Sequence, residues 1–361
     1  MNKVSPELSL LINACLDTKP DNSIENLDTA QLAKFLHYHR VRPQLLAFLH
    51  RNELNIGINE ALAAECQKIT ILNLMLAREV LRITDQLQRD HIPCFAYKGI
   101  LWAQWLFDNV GHREAGDIDL LVAEADILRA TAALKEEGEY KPDTYREFLL
   151  SEPNIRKAFF GTDYHVLLQR ELDSIVVELH WQIAYPRLGY DFPRSEWDVH
   201  SKTYQVARGN LKGFDNEYQF LLLLVHHGGK EKWSNLKYMA DLAAYMNRYG
   251  DVTDWKKVFR LAGEKNILTL LTWSLGILKA LGMPWRATWP DKIPNTDVSQ
   301  LLEVWAAMPS QPANSTIPYF KQSLAMHDGL VGKSKVVVSH LKYASNWKLL
   351  LHKARWYRRN S

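Results

Sequence analysis

The chain has 361 residues, 24% of them charged and 47% hydrophobic, and a formal net charge of +3. That balance fits an ordinary soluble globular protein of about two domains, and the charge is too small to argue for a nucleic-acid partner. Three widely spaced cysteines with no CxxC pair exclude a zinc-ribbon or disulfide framework, so reduced thiols in a cytoplasmic compartment are expected.

Ser5-Pro6-Glu7 reads as a helix start, with a hydroxyl cap and Pro at the first helical position, and Asp28 reads as the cap of a second helix. The run 37–42, His-Tyr-His-Arg-Val-Arg, is either an anion-binding patch or a polar helix turn. Residues 60–89 contain neither Gly nor Pro and predict one long amphipathic helix. Residues 1–90 are therefore expected to form a helical region. No stretch resembles a signal peptide or reaches the roughly 20 apolar residues needed to cross a bilayer.

His91-Ile92-Pro93 breaks the long helix, and 94–97 reads as the first strand of an α/β core over 91–212. Lys98-Gly99 follows where strand becomes helix. There Gly permits close backbone approach, helix-start amides favour anions and a Lys ammonium can meet phosphate. Trp102, Trp105 and Phe107 form an aromatic stripe of the core-packing kind.

The next strand is Asp117-Ile118-Asp119-Leu120-Leu121-Val122. Side chains alternate along a strand, so Asp117 and Asp119 share one face while Ile118 and Leu120 take the other. Two carboxylates so close oppose one another's ionisation unless a cation neutralises them. Residues 124–138 predict a return helix ended by Gly138, and 141–162 a polar, partly helical insertion. Residues 164–169 and 175–181 then predict a hairpin turning at 171–174. On its second strand Val176, Glu178 and His180 share a face, so Glu178 is a candidate third acid. Asp117, Asp119 and Glu178 converging would form a hard-cation site suited to Mg²⁺. His165 and His180 are poor Mg²⁺ ligands and read as metal-adjacent or structural groups.

These residues resemble a family. The order of Lys98-Gly99, Arg113, Asp117-Ile118-Asp119-Leu120-Leu121-Val122 and Glu178-Leu179-His180-Trp181 is similar to that of the bacterial uncharacterised nucleotidyltransferases, within the superfamily that includes DNA polymerase β. The Gly-Ser turn of the wider superfamily is missing, and the gap from Gly99 to Asp117 is longer. The resemblance implies an α+β fold, a small mixed sheet flanked by helical regions. It also implies an Mg²⁺-dependent, two-metal transfer of a nucleoside monophosphate from an NTP, ATP first, to an acceptor hydroxyl. Asp117, Asp119 and Glu178 would be catalytic and hold the metals. Lys98, Gly99 and Arg113 would meet the triphosphate, Arg113 alternatively holding Asp119. A catalytically silent nucleotide-binding or protein-interaction module is the alternative.

The remainder, 213–361, is expected to be a helical domain with a basic tail. Its His227, Trp233, Lys237 and Asp241 also match the family's pattern, although Lys237 and Asp241 are equally an ordinary i,i+4 pair. Ser234 is expected to cap the helix after it, and Lys230 is a further candidate phosphate contact. From Lys333 to Arg359 there are eight Lys or Arg and no acid. The stretch 342–359, with Trp347, Trp356 and Tyr357 among these charges, reads as a packed helix with a solvated basic face or as a membrane-surface contact.

Overall fold

The computed structural model describes residues 4–20, 26–309 and 316–360. In chain order, four helices come first: α1 (Pro6–Leu16), α2 (Thr29–His39), α3 (Arg42–Arg51) and α4 (Asn59–Arg89). There follow β1 (Cys94–Ala96), α5 (Gly99–Phe107), β2 (Ile118–Val122), α6 (Ile127–Gly138), β3 (Lys141–Pro142), α7 (Thr144–Leu150) and α8 (Pro153–Phe160). Next are β4 (His165–Gln169), β5 (Val176–His180), β6 (Ser201–Val206) and β7 (Gly209–Phe214). The chain ends in α9 (Asn216–Leu224), α10 (Leu236–Tyr249), α11 (Trp255–Glu264), α12 (Leu268–Ala280), α13 (Ser299–Ala307), α14 (Thr316–Met326), α15 (Gly329–Ser345) and α16 (Trp347–Asn360). The class is α+β, as the sequence implied.

Tertiary contacts divide the chain into two compact units. A helical unit takes Met1–Leu74, Ala103–Ala115 and Asn216–Gln322; a sheet unit takes Met75–Trp102, Gly116–Asp215 and Ser323–Ser361. The units are interleaved along the chain, whereas the sequence-based segments 1–90, 91–212 and 213–361 are consecutive. The reason lies in α4: at 1.5 Å per residue, a helix of 31 residues runs about 46 Å, longer than a small domain is wide. It therefore contributes to both.

In the helical unit, α9 is buried on all sides, with Phe220 to Leu224 fully enclosed, as a helix apolar all round must be. α1 packs on α10, and its buried residues include Leu8, Leu11 and Cys15. Both expected caps are in place: Ser5 Oγ accepts from the Leu8 amide, and Asp28 accepts from Ala30 and Gln31. The cap of α10 is Asn235, whose side chain accepts from the Lys237 amide, one residue after the expected Ser234. In the 37–42 run, Arg40 at φ 55° closes α2 and Arg42 begins α3.

The sheet unit holds a five-stranded sheet in the order β1-β2-β5-β4-β3. β2 and β5 are parallel; the other pairings are antiparallel. β4 and β5 form the expected hairpin, with Ser174 at φ 57° in its turn. All five residues of β2 are buried, so the strand is covered on both faces and its apolar run leaves Asp119 as the one ionisable group. β6 pairs with β7 in a separate two-stranded sheet. Gly138 does not supply the left-handed cap of α6; Glu139 does, at φ 57°. Gly138 is small for a different reason, since a Cβ there would stand 2.9 Å from the Tyr140 ring. The basic tail forms two helices, broken at Asn346.

Candidate active site

The site is built where β2 and β5 run side by side. Their parallel register sets Asp119 opposite Glu178, so one side chain from each strand reaches the same face. His180 follows two residues after Glu178 and therefore points the same way. Ligand-type atoms of Asp119, Glu178 and His180 all lie within 4.8 Å of one another. His180 Nε2 is 2.9 Å from Asp119 Oδ1 and 3.1 Å from Glu178 Oε2. Its Nδ1 is buried and has no hydrogen-bond partner among the described residues. The network thus assigns the ring proton to Nε2, donated toward the two acids.

Lys98 completes the cluster, its Nζ 2.7 Å from Asp119 Oδ1. The Lys-Gly bend reaches this position by an unusual route: Lys98 has φ 65° and Gly99 φ 46°, two left-handed residues in succession. A Cβ on Gly99 would lie 3.0 Å from the Asp117 carbonyl and 4.0 Å from Asp119 Oδ2. Left-handed backbone with no room for a side chain is what glycine permits. The tie is reinforced by the Tyr97 amide, which donates to the Asp119 carbonyl at 3.0 Å. The amino end of α5 is thereby pressed against the acids.

Burial opposes ionisation of Asp119, yet the Lys98 ammonium and the His180 hydrogen bond outweigh it and hold the carboxyl below its ordinary value. Glu178 is likewise held low, burial being overcome by His180 and Lys98. Its side chain keeps 19% exposure against 3% for Asp119, so Glu178 is the member that solvent reaches. His165 stacks on His180 with ring centroids 5.3 Å apart, and burial together with His180 pushes it down to about 3. It is a neutral wall of the site.

Two carboxylates this close, with an imidazole nitrogen that could join them on giving up its proton, are a donor set that fits a divalent cation. The oxygen donors suit Mg²⁺ or Mn²⁺, and an imidazole ligand would favour Zn²⁺. Asp117, expected in the metal set, lies just before β2, half-buried, and is not part of the close cluster. Its main-chain carbonyl faces Gly99.

The other two candidate phosphate contacts belong to the helical unit. Arg113 is buried, its Nε 2.9 Å from Asp241 Oδ1 and its Nη2 2.9 Å from Asp241 Oδ2. His227 Nε2 lies 2.8 Å from the same Oδ2, and Trp233 packs edge-on to His227 at 5.9 Å. Burial opposes the Asp241 charge, but Arg113 and His227 hold its carboxyl well below the usual range. Burial carries His227 down to about 4 against the pull of Asp241. Lys237 Nζ donates to the Glu114 carbonyl. Lys230 ends a π-helical turn, Val225–Lys230, and pairs with Glu231 at 3.0 Å.

Asn73 and Glu114 carry no weight in the sequence reading but hold this arrangement. Asn73 Nδ2 donates to the carbonyls of Val110 and Arg113 at 2.5 and 2.6 Å. Glu114 Oε1 accepts from Arg42 Nε at 3.0 Å. The one available signal was a polar residue, Asn73, in the apolar stripe that Ile69, Leu76 and Val80 make on α4.

The chain belongs to the family described as uncharacterised nucleotidyltransferase, whose model matches residues 25–282. Comparison with curated proteins and with solved structures gives no match.

Proposed function

We propose that the protein is an Mg²⁺-dependent nucleotidyltransferase that moves a nucleoside monophosphate from an NTP, ATP first, to a hydroxyl of an acceptor, releasing pyrophosphate. The observation that carries this reading is the register of β2 on β5, which pairs Asp119 with Glu178 beside the bend of Lys98 and Gly99. Membership in a nucleotidyltransferase family supports it.

Phosphoryl chemistry of this kind rests on positioning and on neutralising charge. Asp119 and Glu178, with Asp117 from the approach to β2, would hold the divalent cation or pair of cations. When bound, such ions offset the triphosphate charge and acidify the acceptor hydroxyl. The Lys98 ammonium would leave Asp119 for a phosphate oxygen, and the Gly99 amide at the start of α5 would meet another. Glu178, the more exposed acid, would face the acceptor and take its proton. His180 would keep both carboxylates oriented, and Lys230 would add a phosphate contact. Arg113 would serve by holding Asp241.

The test is pyrophosphate release from ATP with Mg²⁺ or Mn²⁺ over a panel of small-molecule, saccharide and protein acceptors. Asp119→Asn should lower the rate by roughly a thousandfold or more while the circular dichroism spectrum stays that of the parent. An Asp119→Asn variant of full activity would remove the assignment. ATP binding without pyrophosphate across the panel would favour the silent nucleotide-binding module, and ADP as product would mean transfer of the γ-phosphate.

A further inference from the structure

The last two helices present a surface that neither the fold nor the proposed chemistry uses, and that lies beyond the 25–282 span of the family match. Both helices are docked by one side within the sheet unit. On α15 the inward side carries Gly332 and Val336, and Val336 packs so closely on Gly189 that a Cβ there would stand 2.8 Å from its Cγ2. On α16 the inward side carries Leu349 and His352. The His352 ring stacks on Phe148 with centroids 3.8 Å apart.

The outward side of α15 is largely apolar, interrupted by Ser334. Leu330 and Leu341, with Val331 and Val338 beside them, recur at helical spacing and are 86%, 65%, 64% and 60% exposed. On α16, Trp347 and Leu351 are likewise exposed, at 60% and 51%, on the side away from Leu349 and His352. A soluble helix normally reverses this arrangement and turns such a stripe inward. Exposed Lys333 and Lys342 flank the stripe on α15, and exposed Lys348 and Arg355 extend it on α16. From residue 329 to 360 there is no acidic side chain.

We propose that this face binds an anionic lipid surface, the apolar stripe entering the headgroup region and the flanking cations meeting lipid phosphates. An apolar face flanked by Lys and Arg with Trp at its edge is the pattern of helices that lie in a membrane interface, and cations there are drawn to negatively charged leaflets. Charge argues against a second copy as occupant, because twofold pairing would set the basic side chains of one chain against those of the other. The inference stands independently of the transferase reading, since neither the acids nor the Lys-Gly bend takes part.

The full chain is sedimented with phosphatidylcholine vesicles and with vesicles containing phosphatidylglycerol. Roughly tenfold tighter association with the anionic vesicles, reversed by high salt, is expected. The double charge reversal Lys333→Glu with Lys342→Glu should weaken that association by about thirtyfold. Leu330→Asp with Leu341→Asp should weaken it comparably, and unchanged thermal unfolding will show that both variants fold. Equal association with the two vesicle types, or none with either, overturns the proposal. So does binding that follows the lysines but ignores the leucines, which would mean charge adsorption without entry of the apolar stripe.

Discussion

In the helical unit, Asp241 meets two guanidinium N–H groups of Arg113 and the His227 ring, and the three side chains expose no more than 6% of their surface. In the sheet unit, Asp119 meets one ammonium and one shared imidazole, its neighbour Glu178 reaches solvent, and two left-handed residues hold the bend beside it. The first cluster is closed: its donors and acceptors satisfy one another, and a ligand has little to add. The second has two acids sharing one imidazole proton, so a cation arriving there gains carboxylate oxygens already ionised. Similar ingredients of acid, histidine and base thus yield a clamp in one unit and a receptive site in the other, and the difference lies in how far pairing is completed.

The clamp breaks most severely at its base. Arg113→Ala leaves Asp241 buried without its main counter-charge, and should cost about 3–5 kcal/mol of stability in urea unfolding. An unchanged midpoint would mean that the cluster is less closed than its geometry. Arg113→Lys should recover only part, because an ammonium cannot reproduce the two-pronged contact.

Acid tests the same unit through another group. His39 is fully buried, its Nε2 3.2 Å from the Trp305 carbonyl while Nδ1 accepts from the Leu236 amide at 3.3 Å. Burial pushes it down to about 4, against the Trp305 hydrogen bond. A histidine whose folded value lies below its unfolded value of about 6.5 is protonated first in the unfolded chain. Its neutral burial is therefore without penalty above pH 6.5, and stability falls as the pH drops from there to about 4, by on the order of 3 kcal/mol for this group. His39→Gln, which has no proton to gain, should make the slope shallower across that window, the remainder coming from His227 and His165, which burial also holds low; a slope identical to the parent's would exclude His39 as a source.

Gly99 probes the receptive site. Gly99→Ala places a Cβ 3.0 Å from the Asp117 carbonyl at φ 46°, so the bend must shift or strain, at about 1–3 kcal/mol. Because the bend carries Lys98 and the first amides of α5, the predicted signature is a loss of pyrophosphate release larger than the loss of stability. Proportionate losses would make the glycine merely structural.

Much of this was legible in the sequence where local chemistry decides the outcome. Ser5, Asp28 and the Gly-free stretch of α4 announce their helices, and alternation alone places Glu178 and His180 on one face. α6 ends at Gly138 as expected, whereas the cap of α10 falls on Asn235 rather than Ser234, because capping also depends on which side chain reaches the first amides, here that of Lys237. Local spacing could not reveal that Arg113 meets Asp241, 128 residues away. Nor could it reveal that the parallel pairing of β2 with β5 makes His180, rather than Asp117, the third member of the close cluster.

Lys230 gives the smallest effect and the finest discrimination. Its side chain is 33% exposed and pairs with Glu231 at the surface, a kind of contact worth little, so Lys230→Ala should change stability by less than about 0.5 kcal/mol. If Lys230 meets the triphosphate as proposed, the same variant should raise KM for ATP severalfold with kcat nearly unchanged, as loss of binding common to ground and transition states requires. Restoring the charge with Lys230→Arg should bring KM back toward the parent value. An unaltered KM would leave triphosphate recognition to Lys98 and Gly99.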